Sequence, residues 1–174
     1  MPNTAAGPMI RVADLAKGQT RRIDASPDAD ARAAIAGALG LDGLRKLRFE
    51  GTLAPLGKRD WRLSGSLGAT VVQPCVVTLA AVTTRIETGI RRDFLADWED
   101  PEGDGMEMPD EVDHDPLGPE IDVGRVIVEA LSLALPDFPR AAGAELTETG
   151  FTEAGKRPMT DADADWPKWL QRFR

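Results

Sequence analysis

Two runs of alternating residues, separated by one turn, constrain this chain more than any other feature. In residues 47–53, Leu47, Phe49, Gly51 and Leu53 fall on one side, and Arg48, Glu50 and Thr52 on the other. After the turn Pro55-Leu56-Gly57-Lys58 the pattern resumes. Trp61, Leu63, Gly65, Leu67, Ala69 and Val71 alternate with Arg62, Ser64, Ser66 and Thr70. A period of two sends successive side chains to opposite faces of a strand, so the two runs predict a long hairpin with one apolar and one polar face. A hairpin of this kind needs a further layer to cover its apolar side.

Two segments are spaced to supply that layer. Ser26-Pro27-Asp28 offers an N-cap, a proline at the first helical position and an early acid. The alanine-rich run that follows, with Ile35 and Leu39 four apart, predicts a helix over 28–39 that Gly40 and Gly43 end. A second helix, 123–135, starts from Asp122 and is stopped by Pro136. Its polar positions Arg125, Glu129 and Ser132 form one narrow stripe, the pattern of a nearly fully buried core helix. Arg125 and Glu129 are spaced for an intrahelical pair, the alternative for Glu129 being an arginine of the sheet. Further strand signals are Met9-Ile10-Arg11-Val12 and Arg21-Arg22-Ile23-Asp24 around a Lys17-Gly18 turn, then Val76 to Leu79 and Val82 to Ile90. The expected class is α+β: an antiparallel, curved or barrel-like sheet of about five to seven strands packed by the two helices.

The net charge of −8 conceals an uneven distribution. Residues 1–92 carry 14 Lys and Arg against 8 acids, whereas residues 93–122 carry 13 acids and no base. Within the acidic stretch, 95–119 also holds Pro101, Pro109, Pro116 and Pro119, which predicts a loop. The chain reads as one domain, 1–140, containing this loop, followed by an extended tail, 141–174. The tail closes with Trp166, Trp169, Leu170 and Phe173 at the spacing of a short amphipathic helix. No apolar run approaches the ~20 residues of a membrane span, and the first residues lack a signal pattern, so a cytoplasmic protein with no membrane contact is expected.

Few residues are equipped for chemistry. Cys75 is the single cysteine, so it can form no internal disulfide and cannot by itself build a zinc site; it reads as a buried structural thiol. His114 is the single histidine, which removes catalytic triads and multi-histidine sites, and it reads as a solvated loop residue. The acids of 97–122 depart from the alternating oxygen pattern of a calcium loop, leaving a solubilising segment. No glycine-rich phosphate loop enters a helix. Neither a catalytic residue nor a metal or other cofactor is expected.

Two blocks, GSLGATVVQPCVVTLAAVTTRIETGIRRDFL and DPLGPEIDVGRVIVEALSLALPDFPR, joined by the acidic spacer, resemble the YceD family. These are proteins tied to accumulation of large-subunit ribosomal RNA, and the resemblance extends over about residues 10–140. It is carried by Cys75 and by Asp122, Glu129 and Pro136 around the second helix. The resemblance implies a non-enzymatic role in ribosome biogenesis, with that RNA or an assembly protein as partner. Many members hold a second cysteine three residues after the first and more beyond the helix, implying a metal or redox-sensitive knuckle; here Thr78 and Pro139-Arg140 occupy those places. With the basic first half, this makes Arg45, Arg48, Arg59, Arg62, Arg85, Arg91 and Arg92 the candidate RNA-binding residues. The second reading is a protein-binding adaptor that uses the acidic loop and docks through Trp166, Trp169 and Phe173.

Overall fold

The computed structural model describes residues 6–15, 18–97, 113–145 and 155–156. The hairpin is its frame. Strand β3 (Gly43–Leu56) and strand β4 (Asp60–Pro74) pair from Gly43 opposite Val72 to Leu56 opposite Asp60, leaving a short turn with Gly57 at φ 70°. That left-handed conformation is open to glycine without strain. Strand β5 (Ala81–Leu95) continues antiparallel along the other side of β4. Strand β2 (Arg21–Ala25) pairs with β3, and strand β6 (Asp113–Pro116) runs parallel to the end of β5. The sheet order is therefore β2-β3-β4-β5-β6.

A separate two-stranded ladder joins strand β1 (Met9–Arg11) to strand β7 (Glu120–Asp122). The two early strands thus enter different sheets instead of pairing around one turn. β7 leads directly into helix α2 (Val123–Leu133), whose Val123 N–H donates to the Pro8 carbonyl at 3.2 Å. The start of this helix is consequently pinned by the N-terminal segment.

The class is α+β, as the sequence implies, but no sheet is closed or strongly curled. β2 and β6 are short and lie at opposite edges, and β6 is parallel, so the expected barrel-like, wholly antiparallel sheet is corrected. The reason lies in the core. Helix α1 (Ala29–Ala38) and α2 fill the space over the apolar face, contributing Ile35, Ala36, Val126, Ile127 and Leu131 to one cluster with Leu47, Phe49, Leu53, Leu63 and Leu67. With that face covered, closure is unnecessary.

Local signals acted with small shifts. Asp28, not Ser26, caps α1: its Oδ1 accepts from the Ala31 N–H at 2.8 Å. The helix ends in a Schellman motif, with Gly40 at φ 65° and the Leu41 N–H donating to the Ala36 carbonyl at 2.9 Å. In α2 Asp122 is the cap, accepting from the Arg125 N–H at 3.0 Å, and the helix stops at Leu133 rather than 135. It is not buried nearly all round: Leu133 is 77% exposed, because the helix lies on the sheet with its other side to solvent. Val76 to Leu79 form a turn instead of a strand, with Leu79 at φ 61°.

The glycines inside the hairpin have a packing reason. Gly51 and Gly65 sit directly opposite each other on the apolar face, and the Phe49 ring lies across both. A Cβ at either position would come within 2.6 Å of the ring. The two glycines create the slot in which Phe49 is completely buried.

Candidate nucleic-acid interface

The pleat of the five-stranded sheet sends its second set of side chains to a face on which no described helix packs. The register arranges them in rows. Arg22, Thr52, Ser64 and Arg91 stand side by side across β2, β3, β4 and β5. The neighbouring row holds Asp24, Glu50, Ser66 and Gly89, and rows farther along bring Arg48 to Gly68 and Glu87, and Lys46 to Thr70 and Arg85. At the opposite end, Arg62 faces Asp93, which faces His114 of β6.

Four of the sequence-derived arginines, Arg48, Arg62, Arg85 and Arg91, therefore share this face. A bulge between Leu44 and Lys46 keeps both Leu44 and Leu47 in the core and leaves Arg45 exposed beside Lys46. Arg59 lies in the β3–β4 turn, where its Nη1 meets Asp97 Oδ1 at 3.1 Å. Arg92 points the other way, beneath α2. Adjacent in sequence, Arg91 and Arg92 occupy opposite faces because a strand alternates.

The carboxylates on the face divide these cations into two groups. Arg48 pairs with Asp24 at 2.9 Å and with Glu50, and Arg85 binds Glu87 at 3.0 Å while its guanidinium lies against Gly68. Arg62 makes a bidentate contact to Asp93, 2.6 Å from Nε to Oδ1 and 2.6 Å from Nη2 to Oδ2. The hydrogen bonds from Arg62 hold the Asp93 carboxyl below the usual carboxylate range against the opposing effect of burial, with the charges of Arg62, His114 and Arg91 acting in the same sense as those bonds. By contrast, Arg22, Arg45, Lys46 and Arg91 have no carboxylate partner among the described residues. His114, expected in a solvated loop, sits in β6 with Nε2 4.0 Å from Asp93 Oδ2.

Under α2, Arg92 is gathered by three acids. Its Nη2 reaches Glu129 at 2.9 Å and Asp113 at 3.3 Å, and Nη1 reaches Asp115 at 3.2 Å. Burial disfavours the charge, yet the Glu129 hydrogen bond and the three carboxylates outweigh it and raise the guanidinium pKa. Glu129 thus takes the sheet arginine, not Arg125. Asp113 and Asp115, read as loop acids in the sequence, are the β6 residues that complete this clamp. The sequence held one clue to it, a single glutamate on an apolar helix.

Cys75 begins the turn between β4 and β5 and is fully buried. Its Sγ accepts from the backbone N–H groups of Val77 and Thr78 at 3.4 Å and of Ala141 at 3.3 Å. The Thr78 hydroxyl and then the Ala141 N–H are the main causes that lower the thiol pKa to about 6, against burial. Tested against a metal knuckle, the donor set does not fit: one thiol is present, Thr78 supplies a hydrogen-bond donor, and Ala141 supplies only backbone. Among the described residues no three His, Cys, Asp or Glu side chains cluster to hold an ion.

The other residues that carry the family resemblance are scaffold parts. Asp122 caps α2, and the Pro136 carbonyl accepts from Gln73 Nε2 at 3.3 Å, tying the segment after α2 to β4. Trp166, Trp169 and Phe173, and residues 98–112 of the acidic loop, lie outside the described residues. Contacts divide the chain into Met1–Ala141 and Ala142–Arg174. Among the described residues, no helix is long and apolar enough to cross a membrane.

No curated protein and no solved structure matches the chain significantly. A family model described as "Large ribosomal RNA subunit accumulation protein YceD" matches residues 63–168. The match begins later than the resemblance read from the sequence and continues into the C-terminal segment. It spans more than half of the chain and takes in β4, β5, the acidic segment and α2. The family is named for an RNA and not for a catalytic activity. The chain belongs to the YceD family, whose role is in large-subunit ribosomal RNA accumulation and hence in ribosome biogenesis.

Proposed function

We propose that this protein is a non-enzymatic factor that supports large-subunit ribosomal RNA by binding it directly through the uncovered face of the five-stranded sheet. The observation that carries this reading is the set of cations without carboxylate partners among the described residues, Arg22, Arg45, Lys46 and Arg91, on or beside that face. Arg22 and Arg91 stand three strand spacings apart, about 14 Å, with the hydroxyls of Thr52 and Ser64 between them. Guanidinium groups and hydroxyls are phosphate ligands. No aromatic side chain stands in these rows, so bases have nothing to stack on and the contact is to backbone and shape.

Fluorescence anisotropy of labelled large-subunit RNA fragments with the full chain, at several salt concentrations, tests this. Affinity should fall steeply with salt, and Arg22→Glu with Lys46→Glu should weaken it by roughly tenfold or more. Arg59→Ala, which alters a cation already bound to Asp97, should change it little. Binding that ignores both the salt and the double charge reversal would remove the sheet face. If deletion of residues 97–115 instead cost a protein partner, the adaptor reading would replace this one.

A further inference from the structure

β4 accompanies β5 along almost its whole length, but on the other edge β6 covers only residues 92–95. Over residues 81–91 that edge has no backbone partner among the described residues. An open edge of this length presents a row of N–H and C=O groups at the spacing another strand requires. Alongside it, between β5 and α2, runs an open groove of about 530 Å³. Its walls are apolar where α2 contributes Val126, Ala130, Leu133 and Ala134, and Ile90 closes the β5 side. A single exposed leucine is unremarked on most surfaces. Here Leu133, 77% exposed, lines the groove with Val126, Ala130 and Ala134 of the same helix, beside backbone that has no partner among the described residues.

We propose that residues 81–91 and this groove receive an extended segment of a partner protein, which adds to the sheet as a strand next to β5. The chemistry favours a polypeptide over a nucleic acid, since main-chain donors and acceptors on the edge match a peptide backbone and the apolar wall matches alternate side chains. β6 already pairs with this same edge, so an added strand continues an existing ladder. Charge selects further. Arg91 lines the groove without a carboxylate partner among the described residues, whereas Arg92 is satisfied by three acids, so the incoming segment carries an acid where it passes Arg91. This inference shares Arg91 with the proposed RNA face but rests on Leu133 and the strand edge, so Leu133→Glu tests it separately from Arg22 and Lys46.

The test selects short phage-displayed peptides on the full chain, with the full-length Leu133→Glu variant as counter-target, and follows amide hydrogen exchange of β5 with the enriched peptide. The expected peptides alternate apolar and polar residues and include an acid. They slow exchange of the amides in 81–91 that face away from β4, and they bind Leu133→Glu roughly tenfold or more weakly while its thermal midpoint is unchanged. Arg91→Glu should weaken acid-containing peptides while its fold is retained. Three results would overturn the proposal. Enriched peptides could leave those amides unchanged. The amides could already be protected in the free chain, by residues 98–112 or by a second copy. Or an oligoribonucleotide could protect them where peptides do not.

Discussion

Arg92 of β5 and Glu129 of α2 are joined beneath the helix, with Nη2 donating to Oε1 at 2.9 Å. The bond crosses from sheet to helix, and β6 enters the same cluster through Asp113 and Asp115. One buried guanidinium therefore joins three elements, reaching acids 23 and 37 residues away along the chain.

Arg92→Ala should destabilise the fold by about 2 to 4 kcal/mol, because it leaves the half-buried Asp115 and Glu129 and the more exposed Asp113 near one another without a cation. Glu129→Ala should have a smaller effect, since Asp113 and Asp115 remain to neutralise Arg92. Urea denaturation of both variants, read by tryptophan fluorescence, gives the ranking. Equal effects would mean that Glu129 alone accounts for the cluster.

Asp93 is held below its ordinary pKa by Arg62, so its contribution is present above the unfolded value near 4 and is lost as pH falls through the depressed folded value. Asp93→Asn should lower stability by roughly 2 kcal/mol at neutral pH and flatten the acid limb of a stability profile below about pH 4. Thermal melts across that range check both parts. An unchanged acid limb would assign it to other carboxylates.

Gly65→Ala should destabilise by about 1 to 3 kcal/mol, because the added methyl meets the Glu50 carbonyl oxygen at 2.5 Å and the Phe49 ring at 2.6 Å. Part of the damage belongs to that ring and part to the Glu50 carbonyl. In the double variant Phe49→Leu with Gly65→Ala, the two effects should sum to less than their separate costs, and a double-mutant cycle measures the coupling. Additive effects would show that the backbone, and not the ring, resists the methyl.

Cys75 titrates near 6 in the folded chain and near 8.5 when unfolded, so between these values the unfolded state holds the extra proton. Stability should rise with pH across that window, reaching its full contribution above about 8.5 and losing it below about 6. Cys75→Ser should flatten this slope in melts from pH 6 to 9. Because the turn is held by N–H and hydroxyl donors, addition of a chelator should leave the thermal midpoint unmoved. A large drop on chelation would show a metal ligand set reaching beyond these residues.

The hairpin was legible because its alternation is long and uninterrupted: period two alone puts Phe49, Leu53, Leu63 and Leu67 on the apolar faces, and the structure then pairs Leu53 with Leu63 and Phe49 with Leu67. Both helices were legible for a similar reason, with ends marked locally at Gly40, Asp122 and Pro136, although the cap of α1 is Asp28, where the sequence pointed to Ser26. β6 was not. Asp113, His114, Asp115 and Pro116 have a loop's composition, and they become a strand because β5 offers an edge and Arg92 collects their charges. Nor could composition separate the arginines: Arg48, Arg62 and Arg85 meet carboxylates on neighbouring strands or two residues along the same strand, whereas Arg22 and Arg91 make no ion pair among the described residues.

By itself, then, the sequence determined the faces of the long strands, the helix positions and a family resemblance, all of which depend on residues close along the chain. The tertiary structure decided that the sheet stays open, that Arg92 is buried while Arg91 is presented, and that Cys75 is held by hydrogen bonds. Those outcomes rest on pairings between distant segments, and local periodicity carries no record of which distant partner a side chain will meet.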